Sequence, residues 1–118
     1  EYIRDYIYVE DVAQACLLSL KNMLKLSRLK VSQEKTSDTD FNAFNIGTGQ
    51  GISVNQLFNH LKDIFNVRLT AHYGPARSGD LRKNILNCNK AKEYLGWDAI
   101  YNIETGLRKT VEWFKRFK

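Results

Sequence analysis

Arg4-Asp5-Tyr6-Ile7-Tyr8-Val9-Glu10-Asp11 marks a change of period near the start of this 118-residue chain. Residues 2–9 alternate, with Ile3, Ile7 and Val9 on one side and Tyr2, Arg4, Tyr6 and Tyr8 on the other, as a half-buried strand requires. Beyond them Val12, Ala13, Cys16, Leu17, Leu20 and Leu24 recur at helical spacing. The pattern predicts a strand followed by a helix over about residues 12–26, with Asp11 as its N-cap.

The same alternation of elements continues. Ala43–Ile46 reads as a short strand running into Gly47-Thr48-Gly49-Gln50-Gly51. Ser53 then starts a helix, with Gln56 placed to complete a capping box, and Val54, Leu57, Phe58, Leu61, Ile64 and Phe65 share one face. Leu69–Tyr73 and Asn84–Leu86 read as extended pieces on either side of a turn-rich loop around Pro75. Asn89 is expected to cap a short helix that Gly96 ends, and Asn102 a last helix over about residues 103–117 with Ile103, Leu107, Val111 and Phe114 inward. Trp97 is expected to plug the end of the short helix against the core. The expected fold class is α/β, a small mixed α+β lobe forming a single domain over residues 1–118. Residues 27–40 are polar and aperiodic, and so long a loop in a compact domain reads as a mobile insertion.

Composition excludes several classes. At 43% apolar and 26% charged residues, the chain can bury a core without metal or disulfide help. No apolar run reaches the length of a membrane span. Only Cys16 and Cys88 are present, which suits a reduced, cytoplasmic setting, and Cys16 is expected to be buried packing. His60 and His72 lack partners at ligand spacing, so no metal site is expected. The net charge is +5, and its densest cluster (Arg108, Lys109, Lys115, Arg116, Lys118) falls late in a helix, where cations complement the dipole.

The Gly47-Thr48-Gly49 turn imitates a dinucleotide fingerprint without completing it. The third glycine is replaced by Ile52, and no acidic residue stands between Ile64 and Gly79 to hold a ribose.

Four segments in fixed order, Arg4–Asp11, Phe44-Asn45-Ile46-Gly47-Thr48-Gly49, Arg77-Ser78-Gly79-Asp80-Leu81 and Lys90-Ala91-Lys92-Glu93-Tyr94-Leu95-Gly96-Trp97, resemble the C-terminal half of the sugar-nucleotide epimerases and dehydratases. These are extended short-chain dehydrogenases/reductases, and the likeness is greatest to the UDP-hexose 4-epimerases. The resemblance implies an N-terminal Rossmann half that binds NAD and carries a Tyr-x-x-x-Lys pair. This chain reads as starting after both, with Glu1-Tyr2-Ile3 interior to a longer protein. Its tyrosines at 2, 6, 8, 73, 94 and 101 are followed four positions on by Tyr6, Glu10, Val12, Arg77, Asp98 and Thr105, none of them Lys. No catalytic, cofactor-binding or metal-binding residue is therefore expected, and the lobe should be inactive alone.

Substrate binding is what the resemblance leaves. It implies that Arg4 and Arg77 approach a diphosphate, for which a forked guanidinium is suited, and that Asp80 accepts from the ribose hydroxyls. The alternative makes Arg4 and Asp5 a surface pair and Asp80 a turn residue. Tyr6 is a further candidate contact, and Tyr8 is expected to be structural. Ala76 stands where many relatives carry a basic residue or proline, leaving Arg77 as the nearby charge. Asn84 is implied to border the hexose pocket, where its small size leaves room for an N-acetyl group. Implied partners are a UDP-hexose-class nucleotide sugar, the absent half and a second copy in a homodimer, with no nucleic acid and no membrane. Without the absent half, some of Leu17, Leu18, Phe44 and Ile46 should lie exposed. The same lobe of a 4,6-dehydratase or reductase is the nearest rival. A single-stranded nucleic-acid module using the Tyr2, Arg4, Tyr6 and Tyr8 face is the rival of another class, though the usual RNA-binding strings are missing.

Overall fold

Among the described residues three strands of two residues each form the sheet, and a sheet that small cannot stand without helices packed around it. The computed structural model describes residues 1–25 and 43–117; the insertion expected at 27–40 lies outside the described residues. Strand β1 (Ile3–Arg4) lies between β2 (Ile52–Ser53) and β3 (Lys83–Asn84). It runs antiparallel to β2, with Ile3 opposite Ser53, and parallel to β3, with Arg4 opposite Asn84. Around it, among the described residues, lie the helices α1 (Val9–Lys21), α2 (Val54–Phe65), α3 (Asn89–Leu95) and α4 (Ile103–Lys115). α2 packs on α4, and α1 packs on α3. This is the mixed α/β lobe the sequence implies.

The core gathers where α1 meets α3. Ala15, Ala91, Leu95 and Trp97 are buried there, with Ile7, Leu18, Phe44, Ile46 and Cys88 packed around them. Trp97 is 1% exposed, and its Nε1 donates to the backbone oxygen of Asp11 at 2.9 Å. The tryptophan thus fills space and satisfies its one polar atom, as an aromatic plug must.

Asp11 does not cap α1. The helix begins two residues earlier, with Tyr8 at the N-cap position and no side-chain cap bond. Asp11 sits in the first turn at 1% exposure and accepts from the amides of Ile100 (3.0 Å) and Tyr101 (3.2 Å). Its lone pairs go to another segment because its side chain faces the interior. Val9, expected inward on a strand, is instead the first residue of α1 and 69% exposed.

The inward face of α1 is also not the expected one. Asp11, Ala15 and the half-buried Leu18 point into the lobe, while Val12, Cys16, Leu17 and Leu20 are exposed. Ala15 and Ala91 are both small, which lets α1 and α3 approach closely; leucines at that contact would hold them apart. Of the four residues expected at the surface, Leu17 is exposed, whereas Leu18, Phe44 and Ile46 are half-buried.

Local signals fare better at the other helices. Ser53 Oγ accepts from the Gln56 amide (3.1 Å) and Gln56 Oε1 accepts from the Ser53 amide (2.9 Å), completing the capping box. Asn102 caps α4 by accepting from the Thr105 amide at 2.9 Å. Gly96 ends α3 in the left-handed region at φ 67°, where glycine has no steric cost. Asn89 is the first residue of α3 rather than its cap; Asn87 Oδ1 accepts its amide at 3.0 Å. Phe114, expected inward, lies in the last turn of α4 and is exposed. The strands expected at 43–46 and 69–73 do not form: both edges of β1 are taken by β2 and β3, and Tyr73 is 77% exposed. No described helix is long and apolar enough to cross a membrane.

Asp11→Ala strands two buried amides and should destabilise the chain by on the order of 3 kcal/mol. Urea unfolding followed by the fluorescence of Trp97 and Trp113 together measures it; a loss under about 1 kcal/mol, the size of an ordinary surface change, would show that water replaces the carboxylate.

Candidate functional site

Asp5 fixes the ground on which the site stands. Its Oδ1 accepts from the Thr48 amide (2.8 Å) and the Thr48 hydroxyl (2.6 Å). Its Oδ2 accepts from the amides of Gly49 (2.9 Å) and Leu86 (3.3 Å). Partial burial pushes its pKa up, but these hydrogen bonds outweigh it and hold the carboxyl below the usual aspartate value. A Cβ at position 47 would meet Asp5 Oδ2 at 2.7 Å, so the contact needs glycine there. The amides of the glycine turn are therefore turned onto an internal carboxylate. Asp5 is thus neither a surface partner of Arg4 nor a residue the spacing marks out; only the tertiary structure brings residues 5, 48 and 86 together.

From β1, Arg4 reaches the neighbouring loop. Its Nη1 donates to the carbonyl of Leu81 at 2.8 Å and to that of Ile3 at 2.9 Å, and its guanidinium lies 5.5 Å from the Tyr2 ring centroid. The Ile3 amide donates to the carbonyl of Arg82 at 2.8 Å. The chain just beyond Asp80 is thus gripped twice from β1. Arg77 and Asp80 are exposed on this loop, in a turn closed by the Asp80 amide on the Arg77 carbonyl at 3.4 Å, with Gly79 at φ 83°. Asp80 is in that sense a turn residue whose carboxylate remains exposed. Asn84 is exposed on β3, opposite Arg4.

Arg4 thus pairs with Asn84 across the sheet and hydrogen-bonds the loop at Leu81, while Arg77 stands four residues further up that exposed loop. Tyr6 follows β1 by two residues. It lines an apolar groove of about 380 Å³ between α2 and α4, with Leu57, Leu61, Ile103 and Leu107. It also borders a polar cleft with Thr48, Gln50, Asp98 and Asn102. Arg4, Arg77, Asp80 and Asn84 line neither.

Tyr8 serves architecture. Its ring packs edge-on against Tyr101 at 4.8 Å, and both phenols donate to Glu10, at 3.3 Å from Tyr8 and 2.7 Å from Tyr101. The Tyr101 bond is the main reason the Glu10 carboxyl is held below its usual pKa. Among the described residues no cluster of His, Cys, Asp and Glu could hold a metal ion.

Residues 1–110 match the family model described as GDP-mannose 4,6 dehydratase, and the chain belongs to the NAD-dependent epimerase/dehydratase family of extended short-chain dehydrogenases/reductases. Within it the chain corresponds to the C-terminal part and is most like the UDP-glucose 4-epimerases. The UDP-glucose 4-epimerase of Halalkalibacterium halodurans is 32% identical over 114 residues, 96% of this chain and 30% of that protein. The crystal structure of UDP-glucose 4-epimerase with UDP-glucose from Thermotoga maritima superposes with a TM-score of 0.76 at 44% identity, covering 99% of this chain and 33% of that one. The epimerase of Stenotrophomonas maltophila, with bound NAD and formylated UDP-arabinopyranose, gives a TM-score of 0.74 at 31% identity over 98% of this chain and 31% of that one. The chain spans about a third of the length of these relatives.

Because the folded Asp5 has a lowered pKa, its stabilisation is present above the ordinary aspartate value of about 3.9 and is lost as pH falls through the lower folded value. Asp5→Asn should weaken the chain at neutral pH and flatten this acid limb of stability, read as urea midpoints across a pH series. An unchanged acid limb would place its origin in other carboxylates.

Proposed function

We propose that this chain is the nucleotide-sugar-binding lobe of an NAD-dependent sugar-nucleotide 4-epimerase acting on UDP-hexoses. One observation supports the reading: Arg4 on β1 hydrogen-bonds the Leu81 carbonyl, next to Asp80 in the loop that also carries Arg77. Arg77 supplies a mobile fork for the diphosphate, and Arg4 adds positive charge from the rigid strand. Asp80, an acceptor-only carboxylate, suits the two hydroxyl donors of a ribose diol. Asn84, beside Arg4 on β3, faces the same edge and carries an amide able to pair with an acetamido group. Tyr6, which borders a cleft with Thr48 and Gln50, is a further candidate contact.

NAD belongs with the rest of the parent enzyme. The glycine turn gives its amides to Asp5, which does not fit a cofactor cradle, and no tyrosine of this chain has a lysine four residues on. The lobe anchors the nucleotide and leaves redox chemistry to the half that relatives carry elsewhere. A second reading rests on the matched family model, whose description is a dehydratase of a guanine nucleotide sugar. Base choice separates the two.

Calorimetric titration with UDP-glucose, GDP-mannose and a short oligonucleotide tests this. UDP-glucose should bind best, and Arg77→Ala and Asp80→Asn should each weaken it about tenfold, the size of one charge-assisted hydrogen bond. Preference for GDP-mannose favours the dehydratase reading, and preference for the oligonucleotide overturns both. Incubation with UDP-glucose and NAD should give no UDP-galactose; turnover above a blank would refute the assignment of the chemistry to another half.

Asn84→Tyr should depress the affinity for UDP-N-acetylglucosamine relative to UDP-glucose, because specificity of this kind is a ratio between two substrates. Equal responses would remove Asn84 from the sugar pocket.

A further inference from the structure

The Thr48 hydroxyl has a choice of partners. It lies 2.6 Å from Asp5 Oδ1 and 3.4 Å from the Gln50 carbonyl, and it accepts the Gln50 amide at 3.1 Å. A hydroxyl has one proton to give, and the ionised carboxylate at the shorter distance takes it. Its lone pairs are then left for the Gln50 amide, so a chain of hydrogen bonds runs from Asp5 through Thr48 to Gln50. Gly49 turns the backbone between them at φ 70°, and Gln50 is exposed. Beyond it Gly51 is wedged in place, since a Cβ there would meet Ile85 at 2.5 Å and Ile3 at 2.6 Å. Thr48, Gln50 and Ile52 line the polar cleft of about 280 Å³ that Tyr6 also borders. The Tyr6 phenol makes no hydrogen bond among the described residues, which leaves it available to a ligand.

We propose that Thr48 is a positioning residue: its hydroxyl carries the hold of Asp5 to Gln50 and so fixes the lining of the cleft that a ligand bound at Tyr6 meets. Thr48 needs no contact with the ligand to do this. A methyl in place of the hydroxyl would leave Asp5 its bonds from the amides of Thr48, Gly49 and Leu86 and cut the link to Gln50. This rests on the nucleotide-sugar reading above with Tyr6 as a contact, and it gives the glycine turn a task in that site.

Two substitutions in the full chain separate the hydroxyl from the packing around it: Thr48→Val removes it at nearly constant shape, and Thr48→Ser keeps it. Without ligand, exchange of the Gln50 amide followed by NMR should quicken about tenfold in Thr48→Val and stay unchanged in Thr48→Ser, while α2 and α4 keep their protection in both. Gln50 exchange unaltered by valine removes the relay, and a loss of α2 and α4 protection would make Thr48 a general prop of the fold and overturn the assignment. In calorimetry UDP-glucose should bind Thr48→Val about fivefold more weakly, the worth of one ordinary hydrogen bond, and Thr48→Ser as well as the unmodified chain. Equal losses in both variants, or none in either, overturn the proposal. In a Tyr6→Phe background valine should cost less than about twofold, as linked positions require; the full fivefold there would show that Thr48 does not act at Tyr6. If the unmodified chain binds no UDP-glucose, the nucleotide-sugar reading fails, while Gln50 exchange in the ligand-free variants still decides whether Thr48 carries the hold of Asp5.

Discussion

Backbone amides that reach carboxylates far away in sequence are what this lobe depends on. Asp5 takes amides from residues 48, 49 and 86, and Asp11 takes them from 100 and 101. Three two-residue strands supply few ladder bonds, so irregular segments must be joined some other way. An ionised carboxylate does this well, because each oxygen accepts two donors and charge-assisted bonds are the stronger kind. Asp5 ties the glycine turn to β1 and to the chain just after β3. Asp11 ties the start of α1 to the segment that leads into α4, with Trp97 closing the gap between them. Remove either, and the helices lose the frame against which their apolar faces pack.

The reading from sequence succeeds where the determinant is local. The Ser53–Gln56 box, the Asn102 cap and the Gly96 terminator each depend on residues within one turn, and all three stand in the structure. It fails where two explanations share one pattern. An aspartate at a helix start reads as a cap, yet Asp11 points inward to a distant segment. A stripe of leucines on α1 reads as a core face, yet the contact with α3 is made through Ala15 and Ala91. Periodicity reports that a face is apolar and is silent on which neighbour meets it. The strand expected over residues 2–9 is cut short because Asp5 turns its side chain to the glycine loop.

The candidate site divides along the same line. Arg4 and Asn84 meet as neighbours in the sheet and Arg4 bonds the loop beside Asp80, contacts that the order of the motifs does not by itself reveal. Tyr6 stands where the chain has left the ladder after Arg4, bordering the groove between α2 and α4 and the cleft beside Thr48. Asp5 is missed altogether, since nothing in the spacing of residues 5, 48 and 86 announces a shared contact.

The segment between α2 and β3 has a consequence for how such a domain can diversify. It is almost wholly exposed: its first residues are held to the end of α2, residues 69–73 border a cleft on α2, and its last residues are held to β1. Lengthening such a segment costs only about 0.6 kcal/mol per doubling, whereas the carboxylate ties elsewhere tolerate no displacement. Insertions in the exposed stretch 74–79 can therefore accumulate without unfolding the body, while the chain after Asp80 stays held to β1. Descendants of this architecture would shift in what they hold long before they shift in how they fold.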